Sequence, residues 1–211
     1  MFSQNTFMRG ALALTLLASL TLTACDSGEP DDGGGGEEEL ITQVSITLTN
    51  TADASDSVKI TASDPDADGA GITFSPSSVA LRPGATYNGT IELLDTINDE
   101  VISEEIEEEA EFHRFQYTFQ PTSAGTVTAT DTESDYTTED ENGGDYAVGL
   151  AFRVAVASGA SGSGTLNAVL YHFDSAPKTS STATSDEADI DIAFPVTFQA
   201  AATRQGIAAR P

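Results

Sequence analysis

Ile190, Ile192, Phe194, Val196 and Phe198 are spaced by single residues, and this period of two is the feature that most limits the fold. Successive side chains of a strand point to opposite faces, so such a run buries one face and leaves the other to solvent. The same rhythm recurs in Val44, Ile46 and Leu48, then in Val58, Ile60 and Ala62, and in Tyr87, Gly89, Ile91 and Leu93. His113, Phe115, Tyr117 and Phe119 share a face. So do Val148 to Val156, and Leu166, Ala168, Leu170 and His172. By this parity Asp189 and Asp191 belong to the solvent face of the last strand. Turn signals separate the runs, and no βαβ rhythm connects them. About eight strands in this pattern predict an antiparallel β-sandwich, immunoglobulin-like or jelly-roll in arrangement. The chain has no Trp and a single Cys, which excludes an antibody-type domain with its cysteine pair.

One segment breaks the period. Ile102, Ile106 and Ala110 recur at helical spacing within 98–111, and glutamates fill the gaps. With so many like charges, this short acidic helix is expected to depend on docking its Ile stripe against a sheet.

The N-terminus carries a different signal. Arg9 is followed by the apolar run 11–22, too short for a membrane span but the length of a signal-peptide core. The run ends in Leu22-Thr23-Ala24-Cys25, which resembles the bacterial lipobox. That resemblance implies cleavage before Cys25 and acylation of its thiol with diacylglycerol and a palmitate-type chain. Residues 1–24 are then a lipoprotein signal peptide, and 25–39 an acidic, Gly-rich tether. The β-sandwich domain is expected over 40–200, with a disordered tail at 201–211. Acidic residues directly after the cysteine resemble a surface-export signal in some lineages and an inner-membrane retention signal in others. The expected location is the cell envelope, at the outer membrane, with the periplasmic and surface faces both open.

The formal charge of -26 over 211 residues excludes nucleic acid as a partner. Lysine occurs only as Lys59 and Lys178. This acidic bias is of the halophilic kind, in which salt screens carboxylate repulsion.

Two groups of residues point to cation chemistry. His113 begins its strand and His172 ends another, so antiparallel neighbours would bring the rings to one end of the sheet. With a carboxylate from Glu109, Glu111 or Asp174 they would form a transition-metal site for zinc or copper, with affinity falling below about pH 6.5. The alternative is a pair of unrelated strand-end histidines. Separately, Asp64-x-Asp66-x-Asp68-Gly69 opens like a calcium loop, but Ser75 stands where the bidentate glutamate should be. Structural calcium and a plain acidic turn both remain open there. No nucleophile elbow or Cys/His pair suggests an enzyme.

The segments DPDADG (64–69), EEIEEEAEFHRFQYTF (104–119) and ADIDIAFPVTF (188–198) together resemble a group of short bacterial lipoproteins without assigned function. Some of that group carry the label "type 1 periplasmic binding fold superfamily protein". The label implies two doubly wound α/β lobes, whereas the strand pattern here predicts a sandwich. The expected function is a non-enzymatic, lipid-anchored binding or accessory domain, capturing a metal or small ligand for an outer-membrane transporter or receptor. The alternative is a structural surface-coat lipoprotein.

Overall fold

A computed structural model describes residues 39–67, 69–138 and 144–199. The signal peptide, Cys25, nearly all of the tether, Asp68 and the 201–211 tail lie outside these residues.

The chain forms strands β1 (Gln43–Asn50), β2 (Ser57–Ser63), β3 (Thr73–Ser75), β4 (Val79–Leu81) and β5 (Thr86–Leu94). Helix α1 (Ile102–Glu108) follows, then β6 (His113–Gln120), β7 (Gly125–Ala129), β8 (Ala151–Val156), β9 (Gly162–His172) and β10 (Glu187–Phe198). One sheet has the order β3-β2-β1-β5-β8-β7, the other β4-β10-β9-β6. All pairings are antiparallel except β10 with β4, which is parallel. The expected β-sandwich is therefore present. The long β9–β10 pair dominates the smaller sheet, running from Glu187 opposite His172 to Phe198 opposite Gly162.

The alternating residues face inward as their period requires. Val44, Ile46, Leu48, Tyr87, Ile91, Leu93, Phe152 and Val154 come from one sheet, and Phe115, Leu166, Ala168, Leu170 and Phe194 from the other. Each buried Val, Leu, Ile or Phe among them contributes about 1.5–3 kcal/mol by leaving water. Helix α1 is shorter than the 98–111 window, because Asp95 and Glu100 form an isolated β-bridge before it. A helix of 7 residues with no side-chain N-cap has little stability of its own. It is held instead by buried Ile102 and Ile106, and by the Leu93 N–H donating to Ser103 Oγ at 2.7 Å.

Phe115, Tyr117 and Phe152 stack, with centroids 5.6 and 4.2 Å apart, and the Tyr117 hydroxyl donates to the Gly149 carbonyl at 2.6 Å. Gly89 faces Phe152 across β5 and β8, and a Cβ built there would press into the phenyl ring. Gly89→Ala should therefore cost about 1–3 kcal/mol through overpacking, read from a denaturant titration. A neutral result would mean that Phe152 can repack freely.

Candidate metal centre

Strands β6 and β9 are paired so that His113 lies directly opposite His172. Their rings stack tilted, 4.5 Å between centroids, and both are buried. The two histidines therefore converge.

Carboxylates enter this point from two places that periodicity did not indicate. The first is Glu39, which the composition grouped with the tether. Just after it, the Thr42 N–H donates to the Leu94 carbonyl at 3.0 Å and Thr42 Oγ1 bonds Thr96 Oγ1 at 2.8 Å, pinning this segment to the end of β5. Glu39 Oε1 stands 3.1 Å from His113 Nε2, and Oε2 stands 3.8 Å from His172 Nδ1. Its side chain is only 5% exposed.

The second is Asp189. Ala188 pairs with Tyr171 and Ile190 with the next residue, Leu170, so Asp189 is the extra residue of a β-bulge. A bulge re-aims a side chain that strict alternation would send outward. Asp189 was expected on the solvent face, but its side chain is 4% exposed and lies against the histidines. Oδ1 is 3.5 Å from His172 Nδ1 and Oδ2 is 4.0 Å from His113 Nε2. Asp191 is exposed as expected.

The outer ring nitrogens also face oxygens. His113 Nδ1 bonds the Glu109 carbonyl at 3.1 Å, and a carbonyl can only accept, so Nδ1 is the donor of that bond. Asp174 Oδ1 stands 3.4 Å from His172 Nε2. The Glu109 carbonyl orients the His113 ring and raises its basicity as a ligand, as outer partners of metal-bound histidine do, whereas His172 Nε2 has the Asp174 charge nearby but no hydrogen bond. Asp174 thus stands behind His172 rather than beside the convergent nitrogens.

Ligand atoms of Glu39, Glu109, His113 and His172 all lie within 4.8 Å of one another. In a tetrahedral site with metal–ligand bonds of about 2.0–2.1 Å, neighbouring donors are about 3.4 Å apart. The nitrogen–oxygen separations that Glu39 and Asp189 make with the two rings run from 3.1 to 4.0 Å and bracket that value. Glu39 Oε2, His113 Nε2 and Asp189 Oδ2 are buried without a hydrogen-bond partner. Leaving such atoms unpaired is costly, and a cation among them would offset the cost.

Donating to the Asp189 carboxylate raises the His172 pKa to about 9 against the opposing effect of burial, with help from the charges of Asp189, Glu39 and Asp174. Burial pushes the Glu39 carboxyl up, but the close approach of His113 Nε2 and the charges of both histidines outweigh it and hold it below its usual value. Two consequences follow for the metal-free protein. The contribution of His172 is complete below its unfolded value of about 6.5 and is lost as pH rises through about 9. The contribution of Glu39 is present above the usual glutamate value and is lost as pH falls through its lowered one. Thermal melts should show stability declining from pH 7 to 10, with His172→Gln flattening that limb. An unchanged slope in the variant would remove His172 as its source.

The remaining sequence candidates sit elsewhere. Glu111 is buried, its carbonyl accepts the Lys178 N–H at 2.9 Å, and its charge acts on the Lys178 ammonium. Asp64 Oδ2 accepts the Gly69 N–H at 2.8 Å, which closes the acidic turn, and Asp66 is exposed. Asp68 lies outside the described residues.

The chain matches no family model, no curated protein and no solved structure.

Proposed function

We propose that this is a lipid-anchored cell-envelope domain that captures a transition metal ion, zinc or copper, and serves an outer-membrane transporter. The observation that carries this reading is the direct cross-strand pairing of His113 with His172, with Glu39 and Asp189 closing on the same nitrogens. Two imidazoles with two carboxylates suit zinc or copper better than calcium, which prefers six to eight oxygens. Four protein donors leave no open position for substrate, and closed sites hold an ion rather than perform chemistry on it. This favours binding over catalysis. Metal retention by a domain fixed to the membrane through acylated Cys25 keeps the ion at the envelope. Among the described residues no helix is long and apolar enough to cross a membrane, so the lipid would provide the attachment.

Equilibrium dialysis of the purified chain against zinc, copper and calcium tests the site. One zinc or copper per chain is expected, with calcium excluded. Because His172 holds a proton up to about pH 9, binding must displace it. The apparent affinity should therefore climb about tenfold per pH unit from 7 towards 9, a window above the one expected from an unperturbed imidazole. Binding of calcium alone, or of no metal, would end this reading. The anchor is tested separately. Cys25→Ser should move the chain from the detergent phase to the aqueous phase, and retention in detergent would show that the attachment lies elsewhere.

A further inference from the structure

No Asp or Glu occurs in 112–130 or in 146–173, although the chain as a whole carries a charge of -26. These two stretches supply β6, β7, β8 and β9. β8 and β7 end one sheet, β9 and β6 end the other, and β6 lies against β7. One flank of the sandwich is therefore built from strands without a carboxylate. Its exposed side chains include Thr118, Gln120, Thr126, Thr128 and Ala155, and Arg153 is the one exposed charge of these four strands.

The sheet edges differ between the two sides as well. β3 and β4, the edges away from this flank, have 3 residues each, and so short an edge offers little to pair with. β6 is covered in part, because its Phe115 N–H donates to the Val148 carbonyl at 2.7 Å. β7 has 5 residues, Gly125 to Ala129, with no charge, no Pro and no bulge. The Ala157 N–H donates to the Ala124 carbonyl at 2.8 Å, and the Thr130 N–H to the Ala151 carbonyl at 2.9 Å. Bonded and non-bonded pairs alternate along an antiparallel ladder, so Thr126 and Thr128 also bond β8. The N–H and C=O groups of Gly125, Val127 and Ala129 then point away from β8, and among the described residues no hydrogen bond reaches them. A free, uncharged edge of this kind is a template for another strand.

We propose that β7 is the pairing edge of a homodimer, in which β7 of a second copy runs antiparallel to it across a two-fold axis at Val127. Val127 then meets its own equivalent, and Gly125 meets the equivalent of Ala129. Each of these pairs exchanges both of its N–H to carbonyl bonds, because all three residues present those groups outward. The exposed Thr126 stands opposite the equivalent of Thr128, where cross-strand hydroxyls pair. Charge argues for a second copy as the occupant. A cationic protein would be drawn to the carboxylate-rich faces instead. Another copy carries the same -26, and the acid-free flank is where two such chains meet with the least repulsion. The pairing merges two edges into one continuous sheet and closes the interface by symmetry. It does not depend on the metal centre.

Sedimentation velocity of the purified full chain, in density-matched detergent with micelles in excess over chains, tests the dimer. A reversible dimer is expected, tightening from low to molar salt as the remaining repulsion is screened. Val127→Pro leaves the ladder to β8 intact, because that N–H points outward. It should weaken dimerisation about tenfold or more, since both copies lose the bond at the axis. Thr126→Glu combined with Thr128→Glu sets like charges opposite each other and should leave only monomer. Thr126→Lys combined with Thr128→Lys should do the same on its own. Mixing the glutamate and lysine variants should restore a heterodimer, a rescue that general destabilisation of the strand would not give. Thermal melts establish that each variant is folded. A wild-type chain that stays monomeric at molar salt would overturn the proposal and leave the edge to some other strand. So would a dimer undiminished in the folded glutamate variant, or a mixture of the two charge variants that forms no heterodimer.

Discussion

Zinc at a hundredfold excess over its dissociation constant is expected to raise the melting temperature of the metal-free protein by about 5–11 °C. A ligand that binds only the folded state adds about 2.7 kcal/mol at that excess. Each kcal/mol shifts the melting temperature of a domain this size by about 2–4 °C. The folded state alone assembles the donors, because Glu39, His113, His172 and Asp189 come from four distant parts of the chain. His113→Ala and His172→Ala should each remove the zinc-dependent rise. Asp174→Asn should only reduce it, because Asp174 acts through its charge beside the outer nitrogen of His172. An equal zinc shift in both histidine variants would place the metal somewhere else.

Lys178→Ala should cost about 3–5 kcal/mol, a fall of about 6–20 °C in melting temperature. The Lys178 ammonium is fully buried, lies 2.6 Å from Glu133 Oε1 and also donates to the Ala110 carbonyl. Burial lowers its pKa, and the Glu133 hydrogen bond only partly offsets this. Glu133 is fixed in turn, accepting the Tyr146 N–H through Oε2 at 3.1 Å. Removing the lysine leaves a buried carboxylate with one donor fewer and without the Lys178 charge. The double variant Lys178→Met with Glu133→Gln replaces the charges together and should recover most of the loss, because a buried pair stabilises little against an apolar isostere. A single variant as stable as the wild type would mean that water reaches Glu133 freely.

Both expectations depend on features that differ in how far the sequence reveals them. The sandwich was readable because its information is local. Each strand states its buried face through a period of two, and Ile102, Ile106 and Ala110 state theirs through a period of four. His113 and His172 were readable as candidates for the same reason, standing at the inward positions of two strand ends.

Of their partners, Glu109 and Asp174 were readable, but Glu39 and Asp189 were not. Glu39 sits at the end of a Gly- and Glu-rich stretch whose composition indicates a solvated tether, and nothing local marks one glutamate as buried. Asp189 has outward parity in Ala188-Asp189-Ile190-Asp191, and a one-residue bulge reverses it without altering the apolar pattern. Lys178 and Glu133 lie in Ser/Thr-rich and acidic stretches that look exposed, yet they form a buried pair across the molecule.

By itself the sequence determined which residues turn inward within each strand, because that depends on side chains two positions apart. Only the tertiary structure decided which inward residues meet. Strand order, the register of β6 on β9 and the bulge in β10 are set by packing between segments far apart in the chain. No local period encodes those separations, and they are what bring two histidines and two carboxylates to one point.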